Sequence, residues 1–506
     1  MSSPEDRLDP AFQALPLSEL ADAALSQASA AGATHADLRV ERIVGQSLAL
    51  RDGVVTTAED TLTLGLAVRV IVDGTWGFAS HTTLTTDSAA DAARRAVEVA
   101  GALRRLNTEP IVRAPEPVHA DAVWVSDYDI DPLAVPIKDK LDVLEEWSQR
   151  LLASDPVDHV QAHCTQVREC KFYADLAGTT TRQQRVRILP RLTATAVDRA
   201  EGGFETMRTL APPSGRGWEY LFGVGCDLEA EIEDLPGQLA EKVKSPSVEP
   251  GRYDLVIDPS NLWLTIHESV GHATEYDRAI GYEAAYAGTS FATPDKLGSL
   301  RYGSPLMHVT GDRTVQHGLA TIGYDDDGVQ TQQWDLVRGG MLVGYQLDRT
   351  FAPRLGLDRS NGCAYADSPH HVPIQRMANV SLQPDPVVDR STEELISGVE
   401  RGIYVVGDKS WSIDMQRYNF QFTGQRFYRI TNGKLDGQLR DVAYQATTTD
   451  FWGSLDALGG ASSWRLGGAM NCGKAQPGQI APVSHGCPPA LFRGVNVLNV
   501  QQESGG

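Results

Sequence analysis

The chain has 506 residues, which is enough for at least two domains with buried cores. Its composition, 42% hydrophobic and 22% charged, is typical of a globular protein. Acidic residues outnumber basic ones by 66 to 45, and the net charge is −21. A surface this negative repels phosphates, so we expect neither nucleic acid nor membrane among the partners.

The N-terminus and the cysteines favour a cytoplasmic protein. The opening residues, MSSPEDRLDP, are polar and acidic and lack both the basic and the apolar part of a signal peptide. The sequence has no apolar run of about 18 residues, the length that a membrane-spanning helix needs. Six cysteines without a paired spacing do not form a disulfide framework. We therefore expect the protein in the cytoplasm.

The first half of the chain predicts helices that alternate with runs of strands. Leu17, Leu20 and Ala24 recur at helical spacing, and the segment that follows them is rich in Val, Leu and Thr, with the hairpin turns RDG and VDG. A second run of strands follows the third helix. The predicted helices span 16–31, 85–106, 139–152 and 227–244.

The stretch SPSVEPGRYD, residues 245–254, is the predicted boundary between two domains, 1–245 and 246–506. Beyond it we predict a strand, an N-cap at Ser260 and a helix over about 261–279. The remainder is rich in glycine and turns and predicts mostly strands. The fold class is therefore α+β, with an N-terminal α/β domain of largely antiparallel sheet and a mostly-β C-terminal domain.

The predicted helix carries an unusual pattern of possible metal ligands, HESVGH, from His267 to His272. Metalloproteases commonly have H-E-x-x-H, in which the histidines lie one turn apart on the same face. Here the two histidines are five residues apart, about 140° around an ideal α-helix. A π-type bulge or a break at Gly271 would bring them together. The alternative is that both are ordinary core histidines.

A third ligand must come from elsewhere in the chain, and spacing alone leaves several candidates open. A thiolate on a glycine-flanked loop is a good ligand for zinc, which favours Cys472 in NCGK or Cys487 in SHGC. The other candidates are His370, His371, His485, Glu275 and Asp277.

At this point the sequence resembles the TldD/PmbA family of metallopeptidases, and in particular its catalytic TldD type, which carries H-E-x-x-x-H where the noncatalytic sister subunits lack it. The matching segments occur in family order over nearly the whole chain. They are GLAVRVIVDGTWGFAS (65–80), EPGRYDLVIDPSNLWLTIHESVGHATEYD (249–277), YDDDGVQTQ (324–332), RMANVSLQPD (376–385), NFQFTGQRFYRITNGKL (419–435) and GGAMNCGKAQPGQ (467–479).

The resemblance implies a zinc site and a catalytic base. His267, His272 and Cys472 would be the zinc ligands, and Glu268 would be the general base. It also implies a barrel-like C-terminal domain that carries the metal helix, and a dimer, either of identical chains or with a noncatalytic sister subunit. The implied substrates are flexible or unfolded peptides, in leader-peptide removal or the degradation of small proteins.

Three further expectations concern function. We expect peptides to bind by strand addition, because a β-rich domain offers free sheet edges. We expect Glu275 and Asp277 on a solvated helix face, and Asp325–Asp327 in a turn before Gly328. The alternative functions are a noncatalytic peptide-binding scaffold and a zinc amidase that acts on a small molecule.

Overall fold

The computed structural model describes residues 3–198 and 203–503. The helices of the N-terminal region are α1 (Pro10–Gln13), α2 (Leu17–Ala30), α3 (Thr86–Leu103), α4 (Ile137–Leu152) and α5 (Leu228–Lys244). Its strands are β1 (His35–Arg51), β2 (Val54–Val72), β3 (Thr75–His81), β4 (Ala122–Val125), β5 (His159–Asp175), β6 (Thr180–Asp198) and β7 (Gly203–Arg208). The four predicted helices are therefore present, with ends that differ by only a few residues.

These strands form one seven-stranded sheet in the order β3-β2-β1-β5-β6-β4, with β7 also paired to β6. All pairs are antiparallel except β4 with β6. The RDG turn closes the β1–β2 hairpin with positive φ at both Asp52 (52°) and Gly53 (78°), as a primed two-residue turn requires. The prediction of a largely antiparallel N-terminal sheet is confirmed.

The two faces of this sheet differ in chemistry. Even-numbered residues such as Leu38, Phe172 and Ile188 are apolar and pack beneath α2–α5. Odd-numbered residues such as Arg39 and Lys171 point to the other face, because successive side chains of a strand alternate. That second face is charged and yet buried.

The charged face contacts the C-terminal region through a cluster that we call the ionic layer. Its members are Asp37, Arg39, Glu41, Arg69, Glu169, Lys171, Arg185 and Arg187 from the sheet and Asp326 and Asp327 from the C-terminal region. Lys171 Nζ lies 2.7 Å from Asp326 Oδ2, and Arg185 lies 2.9 Å from Glu169. The segment Asp325–Asp327 does form a turn before Gly328, whose φ is 77°. That turn carries its carboxylates into the ionic layer.

The C-terminal region is built mostly of strands. Its helices are α6 (Pro259–Ile266), α7 (Tyr276–Ala279), α8 (Thr392–Ser397), α9 (Thr448–Gly453) and α10 (Val500–Glu503). Its strands are β8 (Gly251–Ile257), β9 (Val309–Asp312), β10 (Gln333–Arg338), β11 (Met341–Leu342), β12 (Ala364–Tyr365), β13 (Ile374–Gln375), β14 (Asn379–Leu382), β15 (Arg401–Ile413), β16 (Asn419–Thr431), β17 (Lys434–Leu439), β18 (Val442–Thr447), β19 (Leu455–Leu458), β20 (Arg465–Lys474), β21 (Gln479–Cys487) and β22 (Ala490–Asn499).

A closed barrel organises this region. Strands β15-β8-β22-β18-β16 are neighbours in that order, and β15 also pairs with β16, which closes the circle. Helix α6 contacts β15 and the separate hairpin of β20 and β21. The predicted α+β class, with a barrel-like sheet that carries the motif helix, is confirmed.

The start of α6 differs from the prediction. The N-cap is Asp258, whose carboxylate accepts a hydrogen bond from the Ser260 backbone N–H at 2.9 Å, and Pro259 occupies the first turn. The predicted cap at Ser260 is wrong by two residues. Proline is well suited to the first helical position, so the helix begins at Pro259 and its cap is the residue before it.

The boundary between the two regions falls in the segment between α5, which ends at Lys244, and β8, which begins at Gly251. The division into domains 1–245 and 246–506 stays a prediction. Among the described residues, no helix has both the length and the apolar character needed to cross a bilayer.

Candidate metal centre

The helix that carries the HESVGH motif changes its winding at the motif. Helix α6 ends at Ile266, a π-helical turn spans His267–Gly271, and a 3₁₀ turn spans His272–Thr274. The backbone N–H of His272 donates to the carbonyl of His267 across five residues. A π turn stacks residues i and i+5 above one another, so the two imidazoles meet with ring centroids 4.6 Å apart. The expected irregularity is present, and the helix is interrupted where 261–279 was predicted as continuous.

Gly271 has an ordinary helical backbone and lies close against the Met377 side chain. Its φ and ψ are −55° and −61°, which any residue adopts in a helix. A Cβ placed on Gly271, however, would lie 2.6 Å from the sulfur of Met377. A side chain at this position would therefore force the end of the Met377 side chain to move.

Three donor groups converge at the turn. Ligand atoms of His267, His272 and Cys472 all lie within 4.8 Å of one another, and all three residues are buried. Cys472 Sγ lies 3.6 Å from His272 Nε2. A tetrahedral zinc ion with nitrogen at about 2.0–2.1 Å and sulfur at about 2.3 Å would hold such a pair roughly 3.5 Å apart. The chemistry and the spacing of these donors fit a zinc ion.

Glu275 orients one of the two imidazoles. Its Oε2 atom lies 2.8 Å from His272 Nδ1, and Lys474 Nζ lies 3.1 Å from its other oxygen. Burial opposes ionisation of Glu275, but Lys474, His272 and Arg278 outweigh it and hold the pKa of this carboxyl well below its usual value. A carboxylate only accepts, so His272 donates from Nδ1 and its Nε2 lone pair faces Cys472.

The expectation that Glu275 and Asp277 lie on a solvated face is wrong. Glu275 is fully buried and Asp277 is 5% exposed. Asp277 accepts from Lys474 Nζ at 2.8 Å, so Lys474 binds both carboxylates. A buried acid is stable here because a buried cation lies between the pair.

A third histidine, His485, which the sequence analysis considered only as a possible metal ligand, orients the other imidazole. His485 Nε2 lies 2.7 Å from His267 Nδ1, and His485 Nδ1 lies 2.8 Å from the carbonyl oxygen of Val380. The carbonyl only accepts, so His485 donates to it from Nδ1 and accepts from His267 at Nε2. His267 therefore presents its Nε2 lone pair to the centre. The indole of Trp263 stacks on His485 at 6.2 Å and fixes the ring.

Electrostatics distinguish Cys472 from the other five cysteines. Burial opposes ionisation of the Cys472 thiol, but the neighbouring His272 outweighs it, and the pKa of Cys472 lies below the usual value. Burial raises the pKa of all the others, for Cys487 well above the usual value. The cysteines with raised pKa are Cys164, Cys170, Cys226, Cys363 and Cys487. A metal ligand must be a thiolate, and only Cys472 is favoured as one.

The remaining candidates for a third ligand are engaged elsewhere. Cys487 lies in the core with its sulfur 3.8 Å from the Pro259 carbonyl. His371 Nδ1 lies 2.6 Å from Asp367, and His370 lies beside Ser80. The partners of a residue depend on the fold, so the sequence offered His485 as a possible ligand and gave no sign that it supports His267.

Glu268 follows the first histidine and faces the same space. Its Oε2 atom accepts from Arg417 Nη1 at 2.6 Å, and Arg417 is held in turn by the Ala287 carbonyl at 3.0 Å. Burial lowers the pKa of both His267 and His272, which favours the neutral form that binds metals. A carboxylate beside a pair of neutral imidazoles is the arrangement of a hydrolytic metal site.

A cavity of about 1430 Å³ opens onto this centre. Strand β20, which carries Cys472, lines it from Arg465 to Gly473. Among the described strands β20 pairs only with β21, so its other edge is free. No further described strand covers this edge along the cavity, although the Cys472 carbonyl already accepts a hydrogen bond from Arg376.

Two descriptions from one protein family match this chain. The PmbA/TldA metallopeptidase C-terminal domain matches residues 250–499, and the PmbA/TldA metallopeptidase domain 1 matches residues 36–100. Together they cover more than half of the sequence and include both histidines, Glu268 and Cys472.

Similar proteins extend over nearly the whole chain. A protein of Methanothermobacter thermautotrophicus named "Metalloprotease" is 27% identical over 467 residues, which are 92% of this chain and 95% of the relative. A protein of Saccharolobus solfataricus named "Zinc metalloprotease TldD homolog" is 22% identical over 470 residues, which are 92% of this chain and 96% of the relative.

Solved structures share the fold. A Thermotoga maritima protein described as a proposed modulator of a DNA gyrase has a TM-score of 0.75 at 15% identity and covers 95% of this chain and 100% of its own. TldE from Thermococcus kodakarensis has a TM-score of 0.70 at 16% identity and covers 94% of this chain and 99% of its own. At such identities the likeness concerns the fold alone. With the family descriptions that match both of its regions, this chain belongs to the PmbA/TldD family of metallopeptidases.

Proposed function

We propose that this protein is a zinc-dependent peptidase of the catalytic TldD type that hydrolyses flexible or unfolded peptides. His267, His272 and Cys472 would hold the zinc ion, and Glu268 would be the general base. The observation that carries the proposal is the convergence of three donor atoms beside Glu268 on the wall of a large cavity. When bound, zinc supplies Lewis acidity that lowers the pKa of water and polarises a peptide carbonyl.

The protein's own residues orient the ligands and transfer the proton. Glu275 and His485 keep the two imidazoles in the tautomer that presents Nε2. Glu268 takes the proton of the attacking water and passes it to the leaving amine. Arg417 holds the Glu268 carboxylate in place from 2.6 Å, and this single contact limits where the base can point.

The shape of the cavity favours a peptide as the substrate. Pockets for small molecules have volumes of about 300–1,000 Å³, and this cavity, at about 1430 Å³, is larger. A zinc amidase for a small molecule is therefore the weaker alternative. An extended peptide would pair with the free edge of β20, whose backbone hydrogen bonds do not depend on sequence. Cys472 on the same strand would then lie next to the peptide backbone.

The proposal extends to partners and to cellular role. We propose a dimer, formed by two copies of this chain or by this chain with a noncatalytic sister subunit. One related structure carries the name TldE, which supports a sister subunit. Leader-peptide removal or degradation of small proteins, in the cytoplasm, would be the role. A noncatalytic scaffold is the rival, and it needs neither Glu268 nor a metal.

The test compares zinc content and peptide hydrolysis in wild type, Glu268→Ala and His267→Ala. Glu268→Ala should keep about one zinc per chain and lose at least about 100-fold in kcat, because general-base catalysis contributes that much or more. His267→Ala should lose both zinc and activity. The matched controls are Glu59→Ala and His308→Ala, which lie outside the cavity lining.

Two results would contradict the proposal. Full hydrolysis by Glu268→Ala would remove Glu268 as the base. A folded wild type that binds no zinc and cleaves no peptide, alone or with a sister subunit, would favour the scaffold.

A further inference from the structure

The N-terminal sheet contributes a basic wall to the cavity. His163 on β5 lies opposite Arg191 on β6, and Thr193 on β6 lies opposite Arg208 on β7. Positions 191 and 193 are two apart, so their side chains share one face of the sheet. This is the charged face, and past the ionic layer it borders the cavity.

A chain of contacts connects this wall to the metal centre. Asp408 accepts from Arg208 at 2.6 Å and from the Trp263 indole N–H at 3.1 Å. Trp263 in turn lies against His267, with ring centroids 6.3 Å apart. Arg191 lies beyond Arg208 on the same sheet face. A peptide that reaches the metal centre along the cavity therefore passes these cations.

The carboxylates that line the cavity are already engaged. Asp227 and Asp258 cap the helices α5 and α6. Glu231 accepts from the backbone N–H groups of Leu210 and Ala211. The other two acids in the lining, Glu268 and Asp408, are paired with Arg417 and Arg208.

Three cations in the lining lack such partners. The side chains of Arg191, Arg216 and Lys409 make no hydrogen bond or ion pair with any residue in 3–198 or 203–503, and Arg191 and Lys409 are exposed. The whole chain carries a charge of −21, whereas this part of the cavity wall presents three cations with no paired acid. Unpaired guanidinium groups bind carboxylates with a planar fork of N–H donors.

We propose that Arg191, Arg216 and Lys409 bind carboxylates of the substrate, so that the protein selects acidic peptides. This inference rests on the proposed peptidase function and adds the substrate class. The carboxylate would come from Asp or Glu side chains or from the peptide C-terminus. The negative charge of the protein opposes approach from a distance, but salt screens that repulsion beyond about 8 Å. Within the cavity these nearby cations determine which peptide charge is favoured.

The test measures binding apart from hydrolysis. Zinc-loaded Glu268→Gln is titrated by calorimetry with C-terminally amidated peptides of about twelve residues that differ only in carrying Glu, Gln or Lys at the same positions. The Glu peptide should bind about three- to tenfold more tightly than the Lys peptide, the range of a few exposed ion pairs. Adding Arg191→Glu should abolish or reverse this ratio and leave the Gln peptide unchanged. High salt should bring the ratio of the two affinities closer to one.

Matched variants and peptides make the outcome decisive. Arg105→Glu changes the net charge equally on a surface outside the cavity and should leave the ratio intact. The Gln peptide with a free C-terminus tests the terminal carboxylate as the source. Equal binding of the Glu and Lys peptides, while wild type cleaves the Gln peptide, would overturn this inference alone. If no peptide binds and none is cleaved, the proposed function falls with it.

Discussion

The ionic layer and the metal centre are both clusters of buried ionisable side chains, and the two are built differently. In the ionic layer each cation faces a carboxylate, as in Lys171 with Asp326 and Arg69 with Asp327. In the metal centre three donors, His267, His272 and Cys472, face one another with no cation among them.

The difference teaches how to distinguish a structural cluster from a functional one. Buried charges of opposite sign stabilise one another, and removing one partner is costly. Lone pairs that converge are unfavourable unless a metal ion fills the space. The orienting partners of the metal centre, Glu275 and His485, hold the donors in this arrangement. Burial is common to both clusters, so burial alone does not distinguish a functional cluster from a structural one.

The strongest test of this contrast removes the thiolate. Cys472→Ser should weaken zinc binding by more than the ten- to hundredfold loss expected for an outer partner, because it removes a ligand and not its support. Metal titration against a chromogenic chelator measures the affinity. Cys226→Ser is the control, because this half-buried cysteine is not among the three converging donors. A Cys472→Ser variant with full zinc and full activity would exclude Cys472 from the centre.

The next test unbalances the ionic layer. Lys171→Met removes the nearer cation from buried Asp326 and leaves, among the described residues, only Arg39, at 3.6 Å, so it should cost about 3–5 kcal/mol in the free energy of unfolding. Urea denaturation measures it, and zinc affinity of the folded variant should stay unchanged. Lys138→Met removes an ion pair on an exposed helix and should cost at most about 1 kcal/mol. Equal costs in the two variants would contradict the contrast.

A smaller effect is expected at the partner of His267. His485→Ala removes the acceptor that orients the ring and should lower zinc affinity about 10- to 100-fold. His485→Gln offers an amide oxygen at a similar reach and should recover part of the loss. His371→Ala, which is engaged by Asp367, is the control. Unchanged affinity in His485→Ala would show that the histidine merely fills space.

The smallest effect concerns pH. Burial and the neighbouring charge of Asp327 raise the pKa of Asp348 from 3.8 to about 7. An acid whose pKa is higher in the folded state favours folding below pH 3.8, and this contribution is lost as the pH rises through about 7. Asp348→Asn does not titrate, so relative to wild type it should gain about 1–3 kcal/mol between about pH 5 and pH 8.

Urea denaturation at both pH values measures this difference. Asp358→Asn, an exposed acid nearby in sequence, should show no such gain. A constant difference between Asp348→Asn and wild type across the range would mean that Asp348 stays ionised in the folded protein.

Local patterns predicted the elements well, because each depends on near neighbours in the chain. The alanine-rich stretch that became α3 begins at its N-cap Thr85, and the RDG turn closes its hairpin as predicted. The helix was present, but the predicted cap at Ser260 was wrong, because the helix begins earlier, at Pro259. Glu275 and Asp277 were misplaced because Lys474, the buried cation that they share, lies about 200 residues away in the chain.

The sequence by itself determined the helix–strand order, the α+β class, the odd spacing of His267 and His272, and the family resemblance. Spacing left Cys472 and Cys487 both open, the resemblance favoured Cys472, and the tertiary structure brings it to the histidines. Only the tertiary structure decided that His485 supports His267 and that Arg191 borders the same cavity. The physical reason is the distance along the chain between the residues that interact. Helix periodicity and turn chemistry act over a few residues, whereas these contacts join strands and turns that meet only when the barrel and the N-terminal sheet have packed together.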